Sequence, residues 1–350
     1  MNYKEQILKI IEDIFLEIPF IILTGCYQNY NIGNGYIPDI VIKYAYKNEE
    51  KRIVLEVKSQ GEPRFIRDAI NQILRYKEAF PNAYYMIAAP FISNTSANLC
   101  LNAGIGFLDL VGNVYINDDP LFIKKNVERN PLAEKRELRK LYSPKSERIL
   151  RVLLDKGKKS WLTEELAEET NVSIGLVAKV KNVLLNEEWL ESEYGGFSLI
   201  KPFDLLDEWS NNYHIEKSKK LNFYTMSSVR EIENRLGDFL NKRNIPYAFT
   251  GQSAAARYAP MVRYKTTKLY IDSIEIVNAL EVDLEIKQVE SGANLHFLIP
   301  YDEGVLYGRQ QFDGLFVVSQ IQTYLDLIHD KARGEEAAVE ILEQGIKKKW

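Results

Sequence analysis

Histidine is scarce in this 350-residue chain, at three residues, and cysteine is scarcer, at two. That scarcity excludes a zinc finger or ribbon, which needs about four such ligands at short spacing. Cys26 and Cys100 have no ligand spacing between them, and both read as buried or half-buried thiols. The same count excludes a disulfide framework, so a reducing cytoplasm is the expected location. No apolar run approaches the roughly 20 residues that cross a bilayer. The longest apolar cluster, IPFIILT at 18–24, is strand length and contains a proline. The N-terminal MNYKEQILKIIEDIF is amphipathic, but acidic residues interrupt it and no apolar h-region follows, so neither a signal peptide nor a membrane partner is expected. Positive charge is not in excess either. Lys and Arg number 45 against 49 Asp and Glu, a net charge of −4. This excludes a protein that coats nucleic acid by bulk attraction, although a local basic patch still acts over about 10 Å at 0.1 M salt.

The chain is rich in apolar residues, at 46%, with 27% charged, and is too long for one ordinary core. Two or three soluble domains are therefore expected. Residues 3–18 have helical spacing, with Ile7, Ile10, Ile11, Ile14 and Phe15 on one face. Short β-rich runs follow at 20–25, 39–46 and 52–58, with a hairpin turn at 48–51. Helical spacing returns over 62–79, with Ile66, Ala69, Ile70, Ile73 and Leu74 on one face. Strand, helix, strand and strand are expected at 83–89, 95–103, 106–110 and 114–117, giving α-β-β-β-α-β-α-β-β over residues 1–120. A boundary at 118–143 follows. Asp-Asp-Pro at 118–120 breaks structure, and Lys124, Lys125, Arg129, Lys135, Arg136, Arg139 and Lys140 crowd the segment. It reads either as a solvated linker or as a connector that contacts phosphates.

One constellation carries chemistry. Asp39, in Ile37-Pro38-Asp39-Ile40-Val41, opens a β-run, and Glu56 and Lys58 close another in Leu55-Glu56-Val57-Lys58-Ser59. Residues i and i+2 of a strand share a face, so Glu56 and Lys58 point the same way. If the two runs pair as a hairpin, Asp39 lies beside Glu56. Two carboxylates and the Val57 carbonyl then suit a hard divalent ion such as Mg²⁺ or Mn²⁺. Such an ion activates water and neutralises charge at phosphorus, and a lysine ammonium orients the water and stabilises the developing negative charge. The bland alternative is a solvated same-face ion pair on an edge strand. Pro38-Asp39 and Glu56-Val57-Lys58 resemble both halves of the PD-(D/E)xK nuclease motif, and the element order resembles that superfamily's core. Gln72-Ile-Leu-Arg-Tyr76 resembles the Gln-x-x-x-Tyr motif of its RecB-like branch, with i, i+4 spacing on one helix face. The resemblance covers residues 1–120 and implies catalytic roles for Asp39, Glu56, Lys58, Gln72 and Tyr76. It also leaves room for an acidic residue from the first helix, Glu12 or Glu17. Asp109 is a further carboxylate, better suited to a turn with Gly112 and Asn113.

Residues 144–203 have a shorter rhythm. A helix at 147–154, a helix capped by Thr163, a turn at Asn171-Val172-Ser173, a helix capped by Ser173 and running to Leu185, and a hairpin around Tyr194-Gly195-Gly196 describe a winged helix-turn-helix. The last helix is similar to recognition helices of bacterial winged-helix regulators. Leu176, Val177, Val180 and Leu184 face its core, while Ser173, Lys179, Lys181 and Asn182 are candidate DNA contacts. The basic connector adds Arg136, Arg139 and Lys140. In residues 204–350 helices are expected at 205–213, 229–240, 318–328 and 334–345, with strands at 269–274, 276–280, 282–286 and 295–299. Tyr247–Ala255, Leu269-Tyr270-Ile271, Val318–Leu327 and Arg333–Ala338 resemble the C-terminal part of AbiEi-type antitoxins, over about residues 144–345. That resemblance implies promoter autoregulation and a partner toxin. Gly251-Gln-Ser253 with Asp283-Leu-Glu285 is similar to elements of nucleotidyltransferases, but the gap is too long; a turn glycine and an alternating-charge strand explain these residues better.

The expected fold class is thus α/β and α+β multidomain: a restriction-endonuclease-like core at 1–120, a basic linker at 121–143, a winged helix-turn-helix at 144–203 and an α+β domain at 204–350. Two functions are compatible with it. One is a Mg²⁺-dependent endonuclease acting on double-stranded DNA, as a homodimer if both strands are cut. The other is a transcriptional regulator or antitoxin with an inactive nuclease fold.

Overall fold

The computed structural model describes residues 3–47, 49–126, 141–259, 264–330 and 333–350. The chain divides into two compact units, Met1–Arg139 with Val183–Glu188, and Lys140–Asn182 with Trp189–Trp350.

The first unit is built on a seven-stranded mixed sheet in sequence order: β1 (Ile22–Gln28), β2 (Ile40–Tyr46), β3 (Glu49–Val57), β4 (Tyr84–Ala89), β5 (Gly106–Asp109), β6 (Val114–Asp118) and β7 (Leu121–Lys125). The β3–β4 and β4–β5 pairs are parallel and the others antiparallel. Helix α1 (Tyr3–Leu16) buries Ile7, Ile11 and Phe15 in one core with Ile40, Ile42, Ile53 and Leu55. Helices α2 (Pro63–Ala79) and α3 (Asn94–Asn102) contribute to the other core, where Ile66, Ala69, Ile70 and Ile73 meet Val41, Val54 and Ile87. The strand period of two divides these residues, so that even-numbered positions of β3 turn toward α2.

Three expectations change here. The hairpin turn lies earlier than 48–51: Tyr46 pairs with Glu49, and Lys47 takes a left-handed φ of 47°. Leu74 is 45% exposed, and Tyr76 takes its place in the buried face. Lys124 and Lys125 belong to a strand rather than a linker, because Val114 and Tyr115 pair with them across the β6–β7 hairpin. Their charge disguised an edge strand, where exposed lysines are common. Arg129, Lys135, Arg136, Arg139 and Lys140 lie outside the described residues.

In the second unit α4 (Pro144–Lys156) and α5 (Thr163–Thr170) precede α6 (Ile174–Asn186), which crosses the division between units. The hairpin of β8 (Leu190–Glu193) and β9 (Gly196–Leu199) follows, and Trp161 bridges to Phe197 as a third short rung. Thr163 is the first helical residue and not the cap, which falls on Leu162 without a side-chain bond. Ser173 does cap α6, accepting from the Leu176 N–H at 3.3 Å. The rest is a second seven-stranded mixed sheet, ordered β13-β10-β14-β12-β11-β16-β15, around a core that includes Leu236, Phe249, Leu269 and Phe297. Its strands here are β10 (Lys219–Tyr224), β11 (Tyr247–Thr250), β12 (Thr267–Ile271), β13 (Lys287–Gln288), β14 (Leu295–Ile299), β15 (Gln310–Phe312) and β16 (Leu315–Val317). The helices are α7 (Pro202–Asn212), α8 (Val229–Lys242), α9 (Gln252–Tyr258), α10 (Ile274–Leu284), α11 (Gln320–Leu327) and α12 (Arg333–Ile341). The strands expected at 276–280 and 282–286 are instead α10 and its exit. Its β-branched residues suggested a strand, but Val277, Leu280 and Leu284 are buried at helical spacing.

Candidate functional site

The register of β2 and β3 places Ile40 opposite Leu55, so Asp39, one residue before β2, falls opposite Glu56. Asp39 Oδ2 accepts a hydrogen bond from the Val57 N–H at 2.8 Å, which fixes the carboxylate at the strand end. Glu56 is 3% exposed, on the side of the sheet that α2 covers. From α2, the Tyr76 hydroxyl donates to Glu56 Oε1 at 2.8 Å, and Gln72 Nε2 donates to the Tyr76 hydroxyl at 2.6 Å. The Lys58 ammonium donates to Gln72 Oε1 at 2.8 Å and lies 3.7 Å from Glu56 Oε2. Glu56, Lys58, Gln72 and Tyr76 therefore form one closed ring of contacts, with Asp39 beside it. Two chain segments pass close together at Gly61, where a Cβ would stand 1.8 Å from the Phe91 carbonyl oxygen.

Burial pushes the Glu56 carboxyl up to about 7; the Asp39 carboxylate acts in the same direction, while Tyr76 and Lys58 oppose it. Burial likewise pushes the Tyr76 hydroxyl up to about 12. A carboxylate held back from ionising by burial and a like charge is a natural cation ligand, since a cation relieves both. The donors Asp39, Glu56 and the Val57 carbonyl are all oxygens, which fits Mg²⁺ or Mn²⁺ and not a soft metal. Among the described residues no three His, Cys, Asp or Glu side chains gather as a metal cluster. The ring is open on one side, where Lys58, Gln72 and Tyr76 line a cleft of about 550 Å³ with Tyr36, Asp68, Asn71 and Arg75.

Sequence reasoning missed Lys4. Its ammonium lies 2.5 Å from Asp39 Oδ1. Neither Glu12 nor Glu17 has a bond to the site; Glu12 acts on the half-buried Cys26, whose thiol burial and this charge raise. No motif marks Lys4. Tyr36 was also missed, and its ring meets that of Tyr76 at 5.3 Å. Asp68, Asn71 and Arg75 were legible in principle, being within one helical turn of Gln72. Asp109 is wholly buried in a turn: Oδ1 accepts from the N–H groups of Val111, Gly112 and Asn113, each at 2.9 Å.

In α6, Lys179 and Asn182 are exposed, as is Ser173, whose hydroxyl is occupied as the helix cap. Lys181 is half-buried, with its ammonium 4.5 Å from the Phe197 ring centroid. The hairpin tip is a fully exposed Tyr194 flanked by Glu191 and Glu193, an acidic strand that disfavours contact with phosphates there. Asp283 and Glu285 lie at the end of α10, not on a strand, and Asp283 pairs with Arg243 at 3.5 Å. They form no carboxylate pair with the Gly251 turn on a sheet, which removes the nucleotidyltransferase arrangement.

Residues 198–347 match the family described as "Transcriptional regulator, AbiEi antitoxin, Type IV TA system". The match is fewer than half of the chain, and it begins within β9, so most of residues 144–203 precede it. The C-terminal part of the chain is thus antitoxin- and regulator-like in sequence, as expected. No curated relative matches the chain. Among solved structures, the chain is similar to a repair endonuclease from Pyrococcus abyssi, at 17% identity and a TM-score of 0.24, over 31% of this chain and 47% of that one. It is similar to EndoMS in apo form at 16% identity and a TM-score of 0.21, over 29% and 44% of the two chains. An EndoMS–dsDNA complex gives 20% identity and a TM-score of 0.20, over 29% and 42%. The chain thus spans less than half the length of each. No helix among the described residues is long and apolar enough to cross a membrane.

Proposed function

We propose that residues 1–126 form a divalent-metal-dependent nuclease-type domain that hydrolyses phosphodiester bonds in double-stranded DNA, attached to a DNA-binding regulator. The observation that carries this reading is the ring of Glu56, Lys58, Gln72 and Tyr76 beside Asp39, assembled from a strand pair and a helix, with Lys58, Gln72 and Tyr76 on the wall of an open cleft. Asp39, Glu56 and the Val57 carbonyl would hold Mg²⁺ or Mn²⁺. Such an ion, when bound, lowers the pKa of a coordinated water and neutralises charge on the phosphate. Lys58, fixed by Gln72, offers an ammonium to the developing negative charge on phosphate oxygen. Tyr76 holds the Glu56 carboxylate in place, and Gln72 holds Tyr76. Lys179 and Asn182, exposed on α6 of the winged-helix-like segment, are candidate base or phosphate contacts, as are Ser173, Lys181 and, earlier in the sequence, Arg136, Arg139 and Lys140. A homodimer would supply two sites for a double-strand cut, and the free Cys26 and Cys100 accord with a reducing cytoplasm.

The test is plasmid cleavage with Mg²⁺ or Mn²⁺ by wild type and Lys58→Ala. Cleavage lowered at least about 100-fold in the variant supports the reading. A specific observation favours a second reading, the family match at 198–347. Under it the protein is a type IV antitoxin and transcriptional regulator with a partner toxin, and its nuclease-type fold is inactive. No cleavage by wild type on single-stranded, double-stranded or branched DNA, together with sequence-specific promoter retardation, decides for that reading.

A further inference from the structure

Each carboxylate of the site already faces a lysine. Asp39 has two oxygens: Oδ2 is taken by the Val57 N–H at 2.8 Å, and Oδ1 by the Lys4 ammonium at 2.5 Å. Glu56 is held by Tyr76 on Oε1, with Lys58 3.7 Å from Oε2. Two ammonium groups thus supply the charge that one divalent cation would bring. A hard divalent cation needs a carboxylate oxygen as a direct ligand, and an ammonium in contact with that oxygen repels it at close range.

Helix physics does not explain Lys4. It sits in the first turn of α1, where the aligned peptide dipoles disfavour positive charge. The buried contacts of the helix begin a turn later at Ile7. Its side chain is 28% exposed, and Asn29 Oδ1, 3.4 Å from the ammonium, is a second acceptor at hand. Lys4 is therefore neither a packing residue nor a dipole partner, and it is free to leave Asp39.

We propose that Lys4 is a tethered counter-ion that competes with the divalent cation for Asp39, so that metal enters the site only as the ammonium withdraws. This rests on the nuclease-type reading of the site. Lys4 acts through Asp39 and is a positioning residue, not a catalytic one.

The experiment is calorimetric titration of the full chain with Mn²⁺, comparing wild type with Lys4→Gln, Lys4→Arg, Lys9→Gln and Asp39→Asn. Lys9 is exposed on the same helix, so its variant makes the same change in net charge away from the site. Lys4→Gln is expected to bind Mn²⁺ about two- to tenfold more tightly than wild type. Lys4→Arg and Lys9→Gln are expected to stay within about twofold, and Asp39→Asn to lose the binding. Equal affinity in Lys4→Gln and wild type overturns the Lys4 proposal alone. So does an equal gain in Lys9→Gln, which makes the effect one of bulk charge. Absence of Mn²⁺ binding in all variants, or unchanged binding in Asp39→Asn, overturns the metal-site reading and the Lys4 proposal with it.

Discussion

Both units of the chain gather charged and hydroxyl side chains into a connected cluster, and the two clusters are finished differently. In the second unit Arg151, 1% exposed, donates to Gln322 Oε1 at 2.8 Å and to the Tyr301 hydroxyl at 2.9 Å, and lies 3.5 Å from Glu147. Gln322 donates to Asp326, which also accepts from Tyr213, Tyr270 and Thr250. Nearly every group there has a fixed partner away from water, which is what a structural network requires. In the first unit the ring around Glu56 opens on a cleft, Lys4 and Lys58 are 28% and 26% exposed, and burial holds the carboxyl half-protonated near neutral pH. That cluster is open on one side. Burial of polar groups alone does not separate the two clusters; what separates them is whether the cations that complete them are sealed in the interior, as Arg151 is, or reach water, as Lys4 and Lys58 do.

Removing one cation from each cluster tests that difference directly. Arg151→Ala removes a buried cation, takes the donor from Gln322 Oε1 and leaves Glu147 to Lys217 and Tyr301 alone, and should cost about 3–5 kcal/mol of stability. Lys58→Ala removes a partly exposed ammonium whose hydrogen-bond partner, Gln72, lines the cleft, and should cost about 1 kcal/mol or less. All four tryptophans, Trp161, Trp189, Trp209 and Trp350, lie in the second unit, so their fluorescence in urea follows the loss in Arg151→Ala. Far-UV circular dichroism and amide exchange follow Lys58→Ala. Comparable losses in the two variants would erase the distinction drawn between the clusters.

The next largest effect concerns charge at the site. The folded Glu56 carboxyl titrates near 7 against an ordinary 4.5. A carboxyl raised on folding contributes stability that is fully present below about 4.5 and lost as pH rises through about 7. Glu56→Gln should therefore match wild type near pH 4.5 and exceed it by roughly 2–3 kcal/mol at pH 8 in metal-free buffer. Amide exchange in β3 peptides measures this. The same variant should not cleave DNA, which would make it a stability-for-function exchange at this position. A variant less stable than wild type at pH 8 would place Glu56 among structural residues.

How much of this was legible follows from where each contact comes from in sequence. Asp39, Glu56 and Lys58 meet through one hairpin, and Gln72 and Tyr76 through one helical turn, so strand parity and helical spacing suffice to pair them. Lys4 reaches the site only because α1 covers the first half of the sheet, and nothing local in its neighbourhood records that. The scaffold of the second unit was less legible still. Glu147 and Arg151 have the i, i+4 spacing of a solvated helix pair, and the partner that buries Arg151, Gln322, is 171 positions away. Strand β7 was hidden by its lysines, and α10 by its β-branched residues, because in each case tertiary placement outweighed local composition.

The smallest effect sharpens the comparison by its sign. His296, on β14, is 9% exposed, and burial, followed by the charges of Lys220 on β10 and Lys268 on β12, lowers it to about 4. Its Nδ1 lies 2.9 Å from Asn222 Oδ1. Asp330 also faces the group indirectly, 3.5 Å from Lys268. A histidine lowered on folding contributes stability that is fully present above about 6.5 and lost as pH falls toward 4. Part of the shift comes from lysines that reach solvent, so the loss should be about 1–2 kcal/mol rather than the full value. His296→Asn keeps a side-chain nitrogen for Asn222 and removes the titration. The tryptophan-detected urea midpoint of wild type should therefore fall relative to His296→Asn as pH drops from 6.5 to 4.5. Over the same interval the Glu56 carboxyl moves the first unit the opposite way. A wild-type midpoint that runs parallel to that of His296→Asn would show that His296 contributes nothing to the pH dependence of the second unit in this range.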